Sequence, residues 1–464
     1  MVGCWHVHRA ATRRACHLDN ARLACQAARR HRSGNGQPRR GRGASIAAMT
    51  TSLNTTPGPM NAALPRSFNQ LAGANLAAQA AEQVSLAAVP IVAVLALNAG
   101  PGEIGLLNTA QSLPFLLLAI PLGLLADRRS RQRLMVVAEA LRALSLALLL
   151  WATASGWLTL ALLAALGFVG ASGTVGFNVA APALVPALVP REALGAANSR
   201  LELARSAAFA AGPALAGALV SWTGGPTAFA LATGLSVAAV ALLIRLREPP
   251  RTPAPPRHPV LELQDGARLV WRHPLLRPVL LTAVAWNLSW FVLQAAYVPY
   301  AMRTLGLDAG AVGLTLASYG AGMVAGALAA PRILAALPFG RVVVVGPAVS
   351  VAAMATMVAT LAWPSGLLAG ASFFLFGAGP ILWTISSTTL RQTVTPQAML
   401  GRVSSIFLTA NMGARPLGAA LGALVGAQWG ASACLVLALA GFGVQAALIL
   451  GSPVRTLQRL PAPA

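Results

Sequence analysis

No lysine occurs anywhere in this chain of 464 residues. All 34 basic residues are therefore arginine, set against only 11 acids, and charged residues make up 10% of the whole. Soluble domains carry about a quarter charged residues, so this composition cannot cover a water-exposed surface of ordinary size. The missing lysine also removes any G-x-x-x-x-G-K-[ST] loop, and with it nucleotide hydrolysis through that motif as an energy source. No C-x2-C pair, metal-ligand cluster or nucleophile constellation is present, so neither a metal, a cofactor nor an enzymatic activity is expected. Cys434 is the one cysteine beyond the first 60 residues and lies in an apolar run, which excludes a disulfide framework.

What the chain does have is apolar length. Hydrophobic residues make up 56% and the mean hydropathy is +0.67. Apolar segments of roughly 20 residues recur, the length a helix needs to cross a hydrocarbon core about 30 Å thick. In lipid each must bond its own backbone, so the segments are helices. The expected spans are 68–97, 103–126, 132–152, 157–180, 197–220 and 226–246, then 278–301, 309–330, 341–362, 365–388, 402–427 and 430–452. This predicts an all-α membrane protein of twelve transmembrane helices.

The arginines fall almost wholly before the first span and after every second one, and the opposite loops hold only Arg303. By the positive-inside rule both termini are cytoplasmic. The formal net charge of +23 then reflects topology and a basic tail, and no nucleic-acid partner is expected. Residues 1–60 carry ten arginines against Asp19 alone, with no apolar period, and are expected to be disordered. The tail has no apolar signal-peptide core, and translation from Met49 or Met60 would make it an artefact of start-site choice.

A repeat organises the rest. With Pro190 set on Pro396, Leu194 falls on Leu400, Gly195 on Gly401 and Ser199 on Ser405, an offset of 206. The expected organisation is a tail (1–65), a six-helix half (66–246), a linker with an amphipathic surface helix (247–277), a second half (278–452) and a C-terminal tail (453–464).

"GLLADRRSRQR" between spans 2 and 3 resembles the G-x-x-x-D-R-x-x-x-R-R signature of the major facilitator superfamily, matching at Gly123, Asp127, Arg128 and Arg133. Ser130 stands where the family usually has glycine, and Arg131 adds to the basic residues. Stretches around it and around Val189 are similar to the branch with enterobactin exporters and macrolide efflux proteins. The resemblance implies that fold and the export of a siderophore or drug-like molecule across a bacterial inner membrane. Alternating access by a monomer is expected. In this reading Gly123 permits close helix approach, and Asp127 latches the start of span 11, around Gly401 and Arg402, through a helix N-terminus. "AAGPALAG" resembles the superfamily's antiporter element at Gly212, Pro213 and Gly217, which favours efflux.

Charges inside spans are the candidates for coupling. Glu82 lies mid-span, where a carboxylate persists by pairing, lining water or taking up a proton; proton coupling is preferred over a packing role beside Asn75 and Gln79. Glu139 and Arg142 share a helix face at i, i+3, as a self-satisfied pair or a relay. Arg415 meets Glu82, binds an anionic substrate or snorkels. Trp286, Asn287, Trp290, Gln294 and Tyr297 share one face of span 7 and suit a broad amphipathic substrate, although Trp286 can equally face lipid. Gln111, Asn178, Trp383 and Asn411 are further cavity candidates. The partners implied are a small-molecule substrate, protons and the bilayer. A lysophospholipid flippase or an uptake permease on the same scaffold is the alternative.

Overall fold

The computed structural model describes residues 65–190, 193–249, 259–396 and 399–461, with some side chains among them left undescribed. Contacts separate Met1–Met60 from Asn61–Ala464, and the helices below all belong to the second unit. The basic tail lies outside the described residues.

The apolar runs become α1 (Arg66–Leu97), α2 (Pro101–Arg128), α3 (Arg131–Ala154), α4 (Leu160–Leu188), α5 (Leu194–Thr223) and α6 (Gly225–Arg245). A linker helix (Pro259–Arg272) precedes α7 (Leu276–Arg303), α8 (Ala309–Ala336), α9 (Phe339–Ala359), α10 (Gly366–Val394) and α11 (Leu400–Leu450). Eleven of these helices are long and apolar enough to cross a membrane. The last is twice the usual length, 51 residues, and breaks at Gly430, whose φ of 76° and ψ of −174° only glycine adopts without strain.

Short polar caps start the helices where the chain turns. Thr159, Asp308 and Ser365 accept from the backbone N–H three residues on, at 3.2, 2.7 and 3.4 Å. Glu103 Oε2 accepts from Gly100 N at 2.8 Å and closes the turn into α2. At the start of α3 the local cap, Ser130, is joined by a carboxylate from far away in sequence. Glu248, just past α6, accepts from Ser130 Oγ (2.6 Å), Gln132 N (3.1 Å) and Arg131 N (3.3 Å), placing a carboxylate at a positive helix end.

The packing repeats with the sequence. α1 lies against α5, α2 and α3 against α4, and in the second half α7 against α11, α8 and α9 against α10. The repeat reaches the backbone: Ala193 N donates to Pro190 O (3.0 Å) as Met399 N does to Pro396 O (2.8 Å).

The halves touch through small residues toward the end that carries residues 98–101 and 304–309. A Cβ on Gly105 would sit 2.5 Å from the Ala423 backbone, and one on Gly217 would sit 2.8 Å from Gly313 Cα. Arg303 adds a polar tie, its Nη2 donating to Asn98 O (2.6 Å), Asn98 Oδ1 (2.8 Å) and Ala99 O (2.9 Å). It thereby fills the carbonyls at the end of α1, where Asn98 is left-handed at φ 54°. Gly105→Leu is expected to hold this end apart. Spin labels at the exposed positions 157 and 429, one in each half, would read a longer mean distance than in wild type; an unchanged distance would mean the neighbouring helices absorb the side chain.

Near the opposite end lie the residues of the expected latch. A Cβ on Gly401 would meet nothing within 4 Å, and Arg402 Nη1 donates to Asp265 Oδ2 of the linker helix at 3.1 Å. Among the described residues, a Cβ on Gly123 would meet Val179 Cγ1 at 3.9 Å, an ordinary contact. The side chains of Asp127 and Arg128 lie outside the described residues. Arg131 bonds Glu248 through its backbone, and Arg133 is exposed, its N–H donating to Ser130 Oγ at 3.2 Å.

Candidate functional site

A cavity of about 140 Å³ opens between the halves. α1 contributes Glu82 and Ser85, α2 contributes Asn108, Gln111, Ser112 and Phe115. Arg142 and Ser145 of α3 and Thr174 of α4 close the first-half side, while Phe291 of α7 and Arg415 of α11 close it from the second half. Gly167 and Gly170 of α4 keep the wall thin: a Cβ there would meet Gln111 Cγ at 2.9 Å and Ser145 Oγ at 2.8 Å. The site is thus mostly apolar, with a few convergent polar groups and three charges.

The three charges are in different states. Arg142 is 4% exposed and Glu139 is 0% exposed. Arg142 Nη2 donates to Glu139 Oε2 (2.8 Å) and to Ala78 O (2.7 Å), Nε to Ser236 Oγ (3.3 Å) and Nη1 to Thr174 Oγ1 (3.4 Å). This arginine ties α3 to α1, α4 and α6, and its charge is neutralised by its neighbour one turn away. Glu82, by contrast, accepts no hydrogen bond among the described residues, and Arg142 and Arg415 act on it through space. Arg415 lies between two rings, its guanidinium carbon 5.6 Å from the Phe115 centroid and 5.9 Å from that of Phe291. Its Nε is buried with no hydrogen-bond partner.

The structure brings Glu82, Arg142, Arg415 and Gln111 to one cavity and holds Glu139 directly behind Arg142. The other cavity candidates do not line it. Trp286 stacks on Trp290 at 5.2 Å and 11°, and Trp290 packs edge-on against Phe373 and Phe376, so this face of α7 fills the second half's own core. Trp286 Nε1 donates to Ser350 Oγ (3.2 Å), Asn287 Nδ2 to Ala283 O (3.0 Å), and the Tyr297 hydroxyl bonds Thr315. Gln294 is half-buried away from the lining, and Trp383 packs against the core beneath α9 and α11. Asn178 is exposed and accepts from Gln79 at 3.5 Å, and Asn411 Oδ1 is buried without a partner. The physical reason is common to the α7 set: large rings on one side of a helix satisfy each other more fully than they would a polar cavity. Sequence reasoning missed Asn108, Ser112, Phe115 and Phe291. Only the i, i+3, i+4 and i+7 spacing of Asn108, Gln111, Ser112 and Phe115 signals them as one face.

The helix-5 element works on two sides. A Cβ on Gly212 would sit 2.5 Å from Gln83 Cβ of α1, and Gly217 abuts Gly313 of α8, with Pro213 O as the facing group 2.5 Å from a Cβ on Gly313. Glu202 and Arg205 of the same helix form an i, i+3 pair, Nε to Oε2 at 3.0 Å.

Paired helical halves around a central cavity with a few charged groups define a secondary-transporter scaffold. Residues 71–419 match the model of the Major Facilitator Superfamily, and the chain belongs to that superfamily. It is 30% identical over 372 residues to the uncharacterized MFS-type transporter y4rN of Sinorhizobium fredii, covering 78% of this chain and 89% of that one. It is 27% identical to the enterobactin exporter EntS of Citrobacter koseri, over 61% of this chain and 67% of that one. It is 32% identical to the multidrug efflux pump Tap of Mycobacterium tuberculosis, over 44% of this chain and about half of that pump, 51%. Among solved structures, the nucleoside transporter NupG superposes with a TM-score of 0.65 at 13% identity, over 83% of this chain and 98% of that one. A bacterial homologue of the iron transporter ferroportin in its inward-facing state gives 0.66 at 16%, over 83% and 98%. At these identities the solved structures establish the fold. The chain is a multi-pass protein of the bacterial inner membrane.

Proposed function

We propose that this protein exports a small organic molecule, siderophore-like or drug-like, by proton antiport with alternating access. The observation that carries the reading is Glu82, a carboxyl group in the cavity between the halves that accepts no hydrogen bond among the described residues. A carboxylate in a membrane interior is retained for function more often than for packing, and one that is not held by neighbours is free to exchange a proton. The names of EntS and Tap support export over uptake. The two limbs of α11 on either side of Gly430 count as two crossings, making twelve with both termini cytoplasmic by the arginine bias. On that orientation the closed end, held by Arg303 and the glycine contacts, faces outward, and the cavity is ready to load from the cytoplasm.

The test is accumulation of siderophores, macrolides and lipophilic cations in an efflux-deficient bacterium. Expression is expected to lower the level of at least one compound several-fold, and collapse of the proton gradient by a protonophore to restore it. Lowered accumulation that survives the protonophore removes proton coupling; no change for any compound removes export.

A further inference from the structure

The cavity holds two opposite charges that do not form a pair. Glu82 enters from α1 in the first half and Arg415 from α11 in the second, and the two interact through space. No ion pair joins them among the described residues. Arg142 lines the same cavity, but its N–H groups are already engaged by Glu139, Ala78 O, Thr174 and Ser236. Arg415 has ring faces on two sides and, among the described residues, no anion, and its buried Nε has no hydrogen-bond partner there. A charge inside a membrane span normally has a partner, and among the described residues these two are left for something in the space between them.

The signs decide what fits. A simple anion on Arg415 brings a like charge to Glu82, and a simple cation on Glu82 brings a like charge to Arg415. A molecule carrying both charges satisfies both walls and leaves the net charge of the site unchanged. We infer that the cavity binds a small zwitterion with an apolar, ring-sized body. The ammonium lies at Glu82, the acid group takes the Arg415 guanidinium through charge-assisted hydrogen bonds, and the body rests against the apolar wall of Leu86, Val89, Leu146 and Leu149. The volume of about 140 Å³ is close to the roughly 150 Å³ of an apolar cavity that accepts benzene. The substrate class rests on the export reading only for its direction: a proton arriving on Glu82 removes the ammonium's partner, so proton entry favours release, as antiport requires.

The experiment is equilibrium binding of three labelled probes to the full chain purified in nanodiscs near neutral pH: phenylalanine, phenylalaninamide and N-acetylphenylalanine. Phenylalanine is expected to bind about tenfold or more tightly than either singly charged probe, tenfold being about 1.4 kcal/mol. Arg415→Gln is expected to reduce phenylalanine to the level of the amide, and Glu82→Gln to that of the N-acetyl compound. Arg415→Lys, which keeps the charge, retains the preference for phenylalanine over the amide and shows that the glutamine effect is not misfolding. The inference is overturned if a singly charged probe binds as tightly as phenylalanine, or if none of the three binds at millimolar concentration. Efflux that depends on Glu82 together with that result leaves export standing and removes only the zwitterion. Zwitterion binding without efflux of any compound does the reverse.

Discussion

Glu82→Gln is expected to return accumulation of an exported compound to the level of cells lacking the protein, at equal abundance in the membrane. Glutamine has nearly the same shape and can still line a polar cavity, so packing of α1 against α5 and α6 is preserved. What it cannot do is alternate between charged and neutral forms. Because the Glu82 carboxylate accepts no hydrogen bond among the described residues, the substitution breaks none there. The loss is then a loss of coupling, and it should be accompanied by loss of substrate-driven proton release in proteoliposomes. If the variant exports as well as wild type, Glu82 is a packing residue and the proposed coupling site is wrong. Compound exchange without net pumping, with proton release abolished, would give the strongest support.

Arg142→Leu is expected to have the largest effect on stability. The guanidinium makes hydrogen bonds to four residues from inside the first half, and its removal strands the Glu139 carboxylate where no surface is exposed. Breaking a buried pair by deleting one member costs roughly 3–5 kcal/mol, whereas replacing both members with neutral groups is often nearly neutral. The single variant should therefore unfold at a clearly lower temperature in detergent, and Arg142→Leu/Glu139→Gln should recover most of that loss. A double variant no better than the single one would show that the contacts to Ala78, Ser236 and Thr174, rather than the stranded charge, carry the effect. This separates Glu139 from Glu82: one carboxylate is held by its partner, the other is not.

Several features follow from local chain properties and were legible in the sequence. Helix positions depend on runs of about 20 apolar residues, and α1 through α10 lie where those runs lie, although α4, α8 and α10 run six to eight residues further at their C-terminal ends. Pairs at i, i+3 depend only on helical geometry, which is why Glu139 with Arg142 and Glu202 with Arg205 both meet. The repeated turn at Pro190 and Pro396 follows from matched residues at a fixed offset.

Tertiary structure alone decided which face of each helix meets the cavity. A membrane helix that is apolar all round carries little signal for its rotation about its own axis, and that rotation is set by the fit of neighbouring helices. The tryptophans of α7 look, by type and spacing, like a substrate wall, yet Phe373, Phe376 and Ser350 claim them for the core of the second half. Arg415 has no acid near it in sequence, and only the approach of α2 and α7 surrounds it with Phe115 and Phe291. Glu248 reads as a stray acid after α6, and caps α3 because the ends of these two helices adjoin. Span and pairing are written in sequence separation; burial, partners and the cavity depend on contacts between residues far apart along the chain.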